Sequence, residues 1–222
     1  MPRLGLALLL APAAVAAPAA ALAAAAALAA CGEEPIVRTP DHEVCLLRRD
    51  MSTRYCIETY EAARKDSSAT SPGGDEVSPA VSLPGRVPWT QITWDGARQT
   101  CTAKGKRLCE RDEWLDACDG AIGEDQGSVY TYGNDVVAGR CNTDGGGVEA
   151  GGLRAECKSV VGTFDQSGNV REWTGNVRAQ AAARGGSWLS TQTHDCKSGD
   201  AVQILPPEDT SPEVGFRCCR GE

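Results

Sequence analysis

Apolar residues are spread very unevenly along this chain. Behind a short basic start of Met1, Pro2 and Arg3, the stretch from Leu4 to Ala30 carries no charge and consists mostly of Ala and Leu. A basic start, an uncharged apolar stretch and small residues at its end follow the plan of a secretory signal segment, assigned here to 1–30. A retained membrane helix is the rival reading, since the run exceeds the roughly 20 residues that cross a bilayer, although its Ala content, Pro12 and Pro18 weaken it. Ordinary signal cleavage without an anchor is a third. The pattern then turns polar: residues 31–44, with Glu33, Glu34, Pro35 and Pro40, read as a tether of low apolar content. A single globular region is expected over 45–222, long enough for one core.

Within that region short patterned segments alternate with long polar ones. Arg54-Tyr55-Cys56-Ile57-Glu58-Thr59-Tyr60 alternates in part and is rich in β-branched and aromatic residues, which predicts a strand. Ser67 to Gly85, holding Ser, Pro, Gly and Asp, reads as a surface loop. Thr93 is placed to N-cap a helix with Asp95 in its first turn, Trp94, Ala97 and Cys101 on one face and Gly105 at the stop. A second helix is expected at about Glu110 to Cys118, where Trp114 and Cys118 share a face and Gly120 ends it. Both tryptophans should point to the core. Gly120 to Gly152 is Gly- and Asp-rich and should be irregular, with short strands and turns after it. Gly145-Gly146-Gly147 is no phosphate loop, because no strand, Lys or helix start frames it. The sum is an α+β fold with little regular structure.

Charge and cysteine content narrow the function classes. The formal charge of −8 argues against nucleic acid and anionic lipid, which like charge repels, and suits a cationic ligand or a divalent ion. The segment Leu28-Ala29-Ala30-Cys31-Gly32 resembles a lipobox, which makes Cys31 an acylated (palmitate-bearing) membrane anchor and places the protein in a bacterial cell envelope as a lipoprotein. Setting Cys31 aside from the eleven cysteines leaves an even ten: Cys45, Cys56, Cys101, Cys109, Cys118, Cys141, Cys157, Cys196, Cys218 and Cys219. In an oxidising compartment these are disulfide candidates. Their connectivity is not readable from sequence, but neighbours on a strand point to opposite faces, so Cys218 and Cys219 should bond to different partners. The spacings follow no zinc pattern, and with only His42 and His194 no multi-histidine metal centre can form. His194 reads as a surface residue. No Gly-x-Ser-x-Gly nucleophile turn is present.

Three blocks in order resemble the sulfatase-modifying-factor family, whose name-giving member is the formylglycine-generating enzyme. The first is Ile92-Thr93-Trp94-Asp95-Gly96-Ala97-Arg98, then Gly105-Lys106-Arg107-Leu108 and Glu113-Trp114, with Cys109 and Glu110 where the family has Pro-Thr. The second is Val161-Gly162-Thr163-Phe164, leading into Gly168-Asn169-Val170-Arg171-Glu172-Trp173-Thr174, similar to the family's G-N-V-W-E-W-T. The third is Arg184-Gly185-Gly186-Ser187-Trp188 with Gly215-Phe216-Arg217. Tyr60-Glu61-Ala62 fits the family's opening. The resemblance implies a formylglycine-generating-enzyme-like fold of mixed α and β type, related to C-type lectins, with little regular structure; the cysteine count adds that it is rich in disulfides.

The resemblance also carries expectations about chemistry. The family's oxidase activity uses two cysteines just after the Gly-Gly-Ser turn, which hold copper(I) as soft thiolates. Counting from Gly186, those positions are Ser190 and Asp195, hard oxygen ligands that suit copper(I) poorly, so copper is not expected there. Cys196, one residue late, is expected in a disulfide, the alternative being half of a relocated thiolate pair. Family members bind calcium at the turn of the second block, which implies Asp165 and Glu172 as side-chain ligands and Gly168 and Val170 as carbonyl ligands. The plainer alternative is an ordinary turn beside a solvated Glu172. Asn142 and Thr143 stand where a second family site begins. The leading expectation is a non-oxidase module, stabilised by disulfides and calcium, that binds an unidentified ligand or protein from its lipid anchor. The rivals are an active formylglycine-generating oxidoreductase using cysteines near Cys196, and a purely structural envelope protein.

Overall fold

A computed structural model of the protein describes residues 36–121, 126–190, 194–197 and 205–221. The expected signal segment, Cys31 and the first part of the tether lie outside the described residues.

The second half of the expected tether is sheet instead. Strand β1 (Ile36–Arg38) pairs antiparallel with β2 (Glu43–Leu47) through a turn in which His42 takes a left-handed φ of 56°. Burial explains the correction. Val44 and Leu46 are core residues, Ile36 packs on the same cluster, and Arg38 donates to the Val161 carbonyl at 3.1 Å. The glutamates and prolines around these few apolar residues hid them in the sequence.

Strand β3 (Arg54–Glu58) forms as the pattern predicts. With β4 (Arg107–Leu108) and β8 (Cys218–Gly221) it completes an antiparallel sheet in the order β1-β2-β3-β8-β4. A second sheet sets β5 (Arg171–Thr174) between β6 (Ala182–Arg184), antiparallel, and β7 (Val214–Phe216), parallel. Both helices stand where periodicity placed them. In α1 (Trp94–Thr102) the Thr93 hydroxyl accepts from Gly96 N, and Trp94, Ala97 and Cys101 are buried on one face. In α2 (Arg111–Asp119) Glu110 and Glu113 form a reciprocal capping box, and Gly120 closes the helix at φ 69°. Each helix has nine residues, too few to persist alone in water, so their stability is tertiary.

That tertiary support comes from two apolar clusters and five disulfides. Trp89, Trp94, Trp173 and Phe216 anchor one cluster; Val44, Tyr55, Ile57, Trp114 and Val161 anchor the other. The bridges are Cys45–Cys56, Cys101–Cys218, Cys109–Cys219, Cys118–Cys196 and Cys141–Cys157. As the strand geometry required, Cys218 and Cys219 diverge, the first to α1 and the second to the start of α2. These two bridges span 117 and 110 residues, and closing loops of that size removes about 4 to 5 kcal/mol of unfolded-chain entropy each in the chain-entropy model. Few regular elements suffice because the C-terminal strand is stapled to both helical segments.

Candidate functional site

The three motif blocks meet at one buried carboxylate. Glu172 lies on the central strand of the second sheet and is fully buried. Its Oε2 accepts from Trp114 Nε1 at 2.7 Å and from Arg217 Nε at 2.6 Å, while Oε1 accepts from Arg217 Nη2 at 2.6 Å. Trp114 comes from the first block, Glu172 from the second and Arg217 from the third. Arg217 also donates to the carbonyls of Glu58, Thr59 and Phe164, which ties the two sheets together. Gly185 sits against the Trp114 ring at φ 91°; a Cβ there would lie 2.8 Å from the ring. Removing one partner of such a buried pair leaves an uncompensated charge and costs about 3 to 5 kcal/mol. Arg107 and Glu113 form a second bidentate pair, both contacts at 2.6 Å, joined by Arg48. Trp173 and Phe216 are core, and Gly215 is the β7 partner of Glu172.

The turn before Glu172 is neither solvated nor ordinary. Asp165 is buried at a left-handed φ of 62° and accepts from Gly152 N at 2.7 Å. Glu61, which the sequence showed only as part of an opening motif, reaches the same turn. It accepts from Asn169 Nδ2 at 2.6 Å and from Val170 N at 3.2 Å. Its sequence neighbourhood, a buried strand end, was the one available signal. Three carboxylates, Glu61, Asp165 and Glu172, thus share the single guanidinium of Arg217. Burial, and then the charges of Asp165 and Glu172, push Glu61 well above the usual carboxylate range. Burial pushes Asp165 up to about 7. Gly168, at φ 123°, packs so closely on the Asn142 carbonyl that a Cβ would come within 2.5 Å. Asn142 donates to Asn169 Oδ1, and its own Oδ1 is buried without a partner.

For calcium these facts divide the expected ligand set. Asp165, the carbonyl-bearing turn at Gly168 and Val170, and the unpartnered Asn142 oxygen fit a hard cation. Glu172 does not fit as a ligand, because both of its oxygens are held by Arg217, whose positive charge repels a cation at that point.

The corner that carries the oxidase cysteines in the family is a closed hydrogen-bonded network here. Ser190 Oγ accepts from Arg171 Nη2 and from Ser187 N, both at 2.9 Å. Arg171 also binds Glu213 at 2.8 Å, and Ser187 Oγ donates to Glu213 at 2.5 Å. Arg171 occupies the place of a tryptophan in the G-N-V-W-E-W pattern. A guanidinium touching Ser190, with oxygen in place of thiolate sulfur, makes the corner a poor copper(I) site. Cys196 is bonded to Cys118, and all ten cysteines from Cys45 onward are paired, so no relocated thiolate is present among the described residues. His194 is buried rather than on the surface. Its ring lies 4.9 Å from Tyr130, with Nδ1 3.2 Å from the Ser190 carbonyl, and burial lowers its pKa.

Comparison with known proteins gives the same architecture. The model of the sulfatase-modifying factor enzyme 1-like domain matches residues 52–222. A protein of Bos taurus named inactive C-alpha-formylglycine-generating enzyme 2 is 30% identical over 155 residues, covering 60% of this chain and 50% of that protein. Its Mus musculus counterpart is 27% identical over 152 residues, covering 60% and 48%. The chain spans about half the length of these curated relatives. Among solved structures, PvdO from Pseudomonas aeruginosa superposes with a TM-score of 0.56 at 15% identity, over 86% of this chain and 100% of that one. CarF gives 0.54 at 19% identity, over 76% and 87%. These two likenesses show the fold. With its motif blocks converging on Glu172 and the family pattern running from residue 52 to the C-terminal strand, the chain belongs to the sulfatase-modifying factor enzyme 1-like domain family.

Proposed function

We propose that the protein is a non-oxidase member of this family: a binding module held rigid by disulfides, exported and displayed on the bacterial envelope through acylated Cys31. The observation that carries the reading is the Ser190 corner, where Arg171, Ser187 and Glu213 complete a network that leaves no soft donor for copper(I). The pairing of Cys196 with Cys118 supports it by engaging the nearest sulfur. The names of the two mammalian relatives, both called inactive, point the same way. Calcium at the Asp165 turn belongs to the reading as a structural ion that neutralises surplus buried carboxylate charge, with Asp165 and Asn142 as its side-chain ligands.

The test is direct. Folded protein is mixed with copper(I), oxygen and a peptide containing Cys-x-Pro-x-Arg, and aldehyde is measured. No aldehyde above the copper-only background is expected; turnover at a useful rate ends the non-oxidase reading. Labelling of expressing bacteria with a fatty-acid probe tests the anchor, and a Cys31→Ser variant that still takes up label refutes it.

A further inference from the structure

Arg184 differs from five other half-buried or buried arginines of the fold. Arg48, Arg107, Arg154, Arg171 and Arg217 each meet a carboxylate no more than 2.8 Å away. Among the described residues Arg184 has no such partner, and its Nε is buried without a hydrogen bond. The sheet register explains this. Its cross-strand neighbour is Glu172, whose two oxygens are already taken by Arg217 and Trp114. Burial, and then the like charge of Arg111, draw the Arg184 pKa down to about 10, so the group stays charged at neutral pH while destabilising the fold.

Arg184 lines a cavity of about 440 Å³ with Glu110, Arg111, Asp112, Gly175 and Gln180. The two carboxylates of that lining are already engaged, Glu110 with Arg48 at 3.3 Å and Asp112 with Arg111 at 3.0 Å. The positive charge of Arg184 is therefore offset only in part, by the charge of Asp112 across the cavity. The Arg111–Asp112 pair is mostly exposed, and exposed pairs contribute about 0 to 1 kcal/mol, so Arg111 is free to swing toward a ligand. The formal charge of −8 opposes anions at long range, but a Debye length of about 8 Å at physiological ionic strength confines that repulsion.

We propose that this cavity is an anion-binding site, in which the planar fork of Arg184 clamps two oxygens of a carboxylate or phosphoryl group on a small ligand and Arg111 completes the contact. The inference deepens the binding-module reading, on which it rests for a ligand's existence, by giving that ligand a charge class. The two fail separately: aldehyde formation says nothing about the cavity, and a dead cavity says nothing about copper.

Inorganic phosphate and succinate are titrated separately into the folded, disulfide-bonded protein in low-salt Tris-chloride, with unfolding temperature and calorimetric heat as readouts. One of the two anions gives a saturable rise in unfolding temperature. A response to phosphate assigns a phosphoryl ligand, and a response to succinate a carboxylate. In Arg184→Gln the affinity falls at least about tenfold, equivalent to losing one charge-assisted contact. Without anion, that variant unfolds above wild type, because the unpaired charge is gone. Arg184→Lys keeps the charge without the fork and binds with intermediate affinity. No saturable response in wild type, or an unchanged affinity in Arg184→Gln, overturns the proposal. Should the Gln variant not fold, equal affinity in wild type and Arg184→Lys overturns it as well.

Discussion

The Glu172 hub and the Ser190 corner are both buried, polar and drawn from family motifs, yet they differ in what the chain keeps. Around Glu172 each expected residue is in register: Trp114, Gly185, Arg217 and the backbone of β5 close on one carboxylate. Around Ser190 the donor set differs, since Ser190 and Asp195 stand at the positions counted for the family's two cysteines and Arg171 at that of a tryptophan. The hub is architecture, and a chain that loses it loses the junction of its two sheets. The corner is chemistry, and a chain can exchange it for hydrogen bonds without disturbing the junction. Motif resemblance in this fold therefore reports first on how the sheets are joined.

Substitution separates the two regions by magnitude. Glu172→Gln takes from Arg217 the carboxylate that holds it by two hydrogen bonds, leaving only the nearby charges of Glu61 and Asp165, and should cost about 3 kcal/mol, whereas Ser190→Ala, which removes one neutral acceptor, should cost about 1 to 2 kcal/mol. Urea unfolding of both variants checks the ratio. Equal losses would mean that the hub is not the junction described here. Calcium is therefore better tested away from Glu172, because a Glu172 variant weakens the hub whether or not an ion binds nearby.

The disulfides rank next. Replacing Cys109 and Cys219 together by Ala opens a 110-residue span, against a 16-residue span for Cys141 and Cys157. The chain-entropy model gives about 4.7 kcal/mol for a loop near 100 residues and about 3 kcal/mol for one near 15, so the first double variant should unfold at clearly lower denaturant. The reverse order would show that local strain or residual structure, rather than closure entropy, sets their contribution.

The acidic turn gives a smaller and pH-dependent effect. The Asp165 pKa is raised in the fold to about 7 from an unfolded value near 4, so its protonated form is the one the fold favours. Its contribution is fully present below about pH 4 and is lost as pH rises through about 7. In chelator, wild type should therefore lose stability relative to Asp165→Asn between those limits. Calcium at about 100 times its dissociation constant should return about 2.7 kcal/mol at pH 8 in wild type only. Thermal unfolding of both proteins at pH 5 and pH 8, with calcium and with chelator, measures all of it. A calcium response equal in both proteins would remove Asp165 from the ligand set.

Much of this was legible in the sequence, for physical reasons that also mark where legibility stops. Helix α1 announced itself through Thr93 and the 3.6-residue spacing of Trp94, Ala97 and Cys101, and α2 through Trp114, Cys118 and Gly120, because local capping and periodicity are local signals. The even cysteine count foretold full pairing, and strand alternation foretold that Cys218 and Cys219 diverge. Strand β1 stayed hidden because three residues among charges carry too short a pattern. Glu61 and the unpaired state of Arg184 stayed hidden because they depend on contacts between residues more than a hundred positions apart, or on a cross-strand neighbour already occupied. His194 was misplaced because it packs 4.9 Å from the Tyr130 ring, a long-range contact that no spacing reveals.

The smallest expected change in stability belongs to the corner and asks what would keep copper out on the proposed reading. Ser190→Cys with Asp195→Cys restores the two sulfurs at the family positions, and if sulfur were all that is missing, copper(I) would bind. On the proposed non-oxidase reading Arg171 has a second share in the exclusion, since its Nη2 stands 2.9 Å from Ser190 Oγ and would place a fixed positive charge beside the new thiolate. A cation there lowers the thiolate pKa but also pairs with the sulfur and repels the metal. The double variant should therefore bind copper(I) weakly, and adding Arg171→Trp should raise the affinity at least about tenfold, the equivalent of roughly 1.4 kcal/mol. The double variant should shift folding stability by only about 1 kcal/mol, whereas the triple variant also breaks the Arg171–Glu213 pair at 2.8 Å and should lose more. Competition with a copper(I) chelator measures the affinities, and mass analysis under non-reducing conditions confirms that Cys118–Cys196 has not been exchanged for a new bridge. If the double variant binds as tightly as the triple, Arg171 is a bystander and loss of the two sulfurs alone separates the corner from its oxidase counterpart.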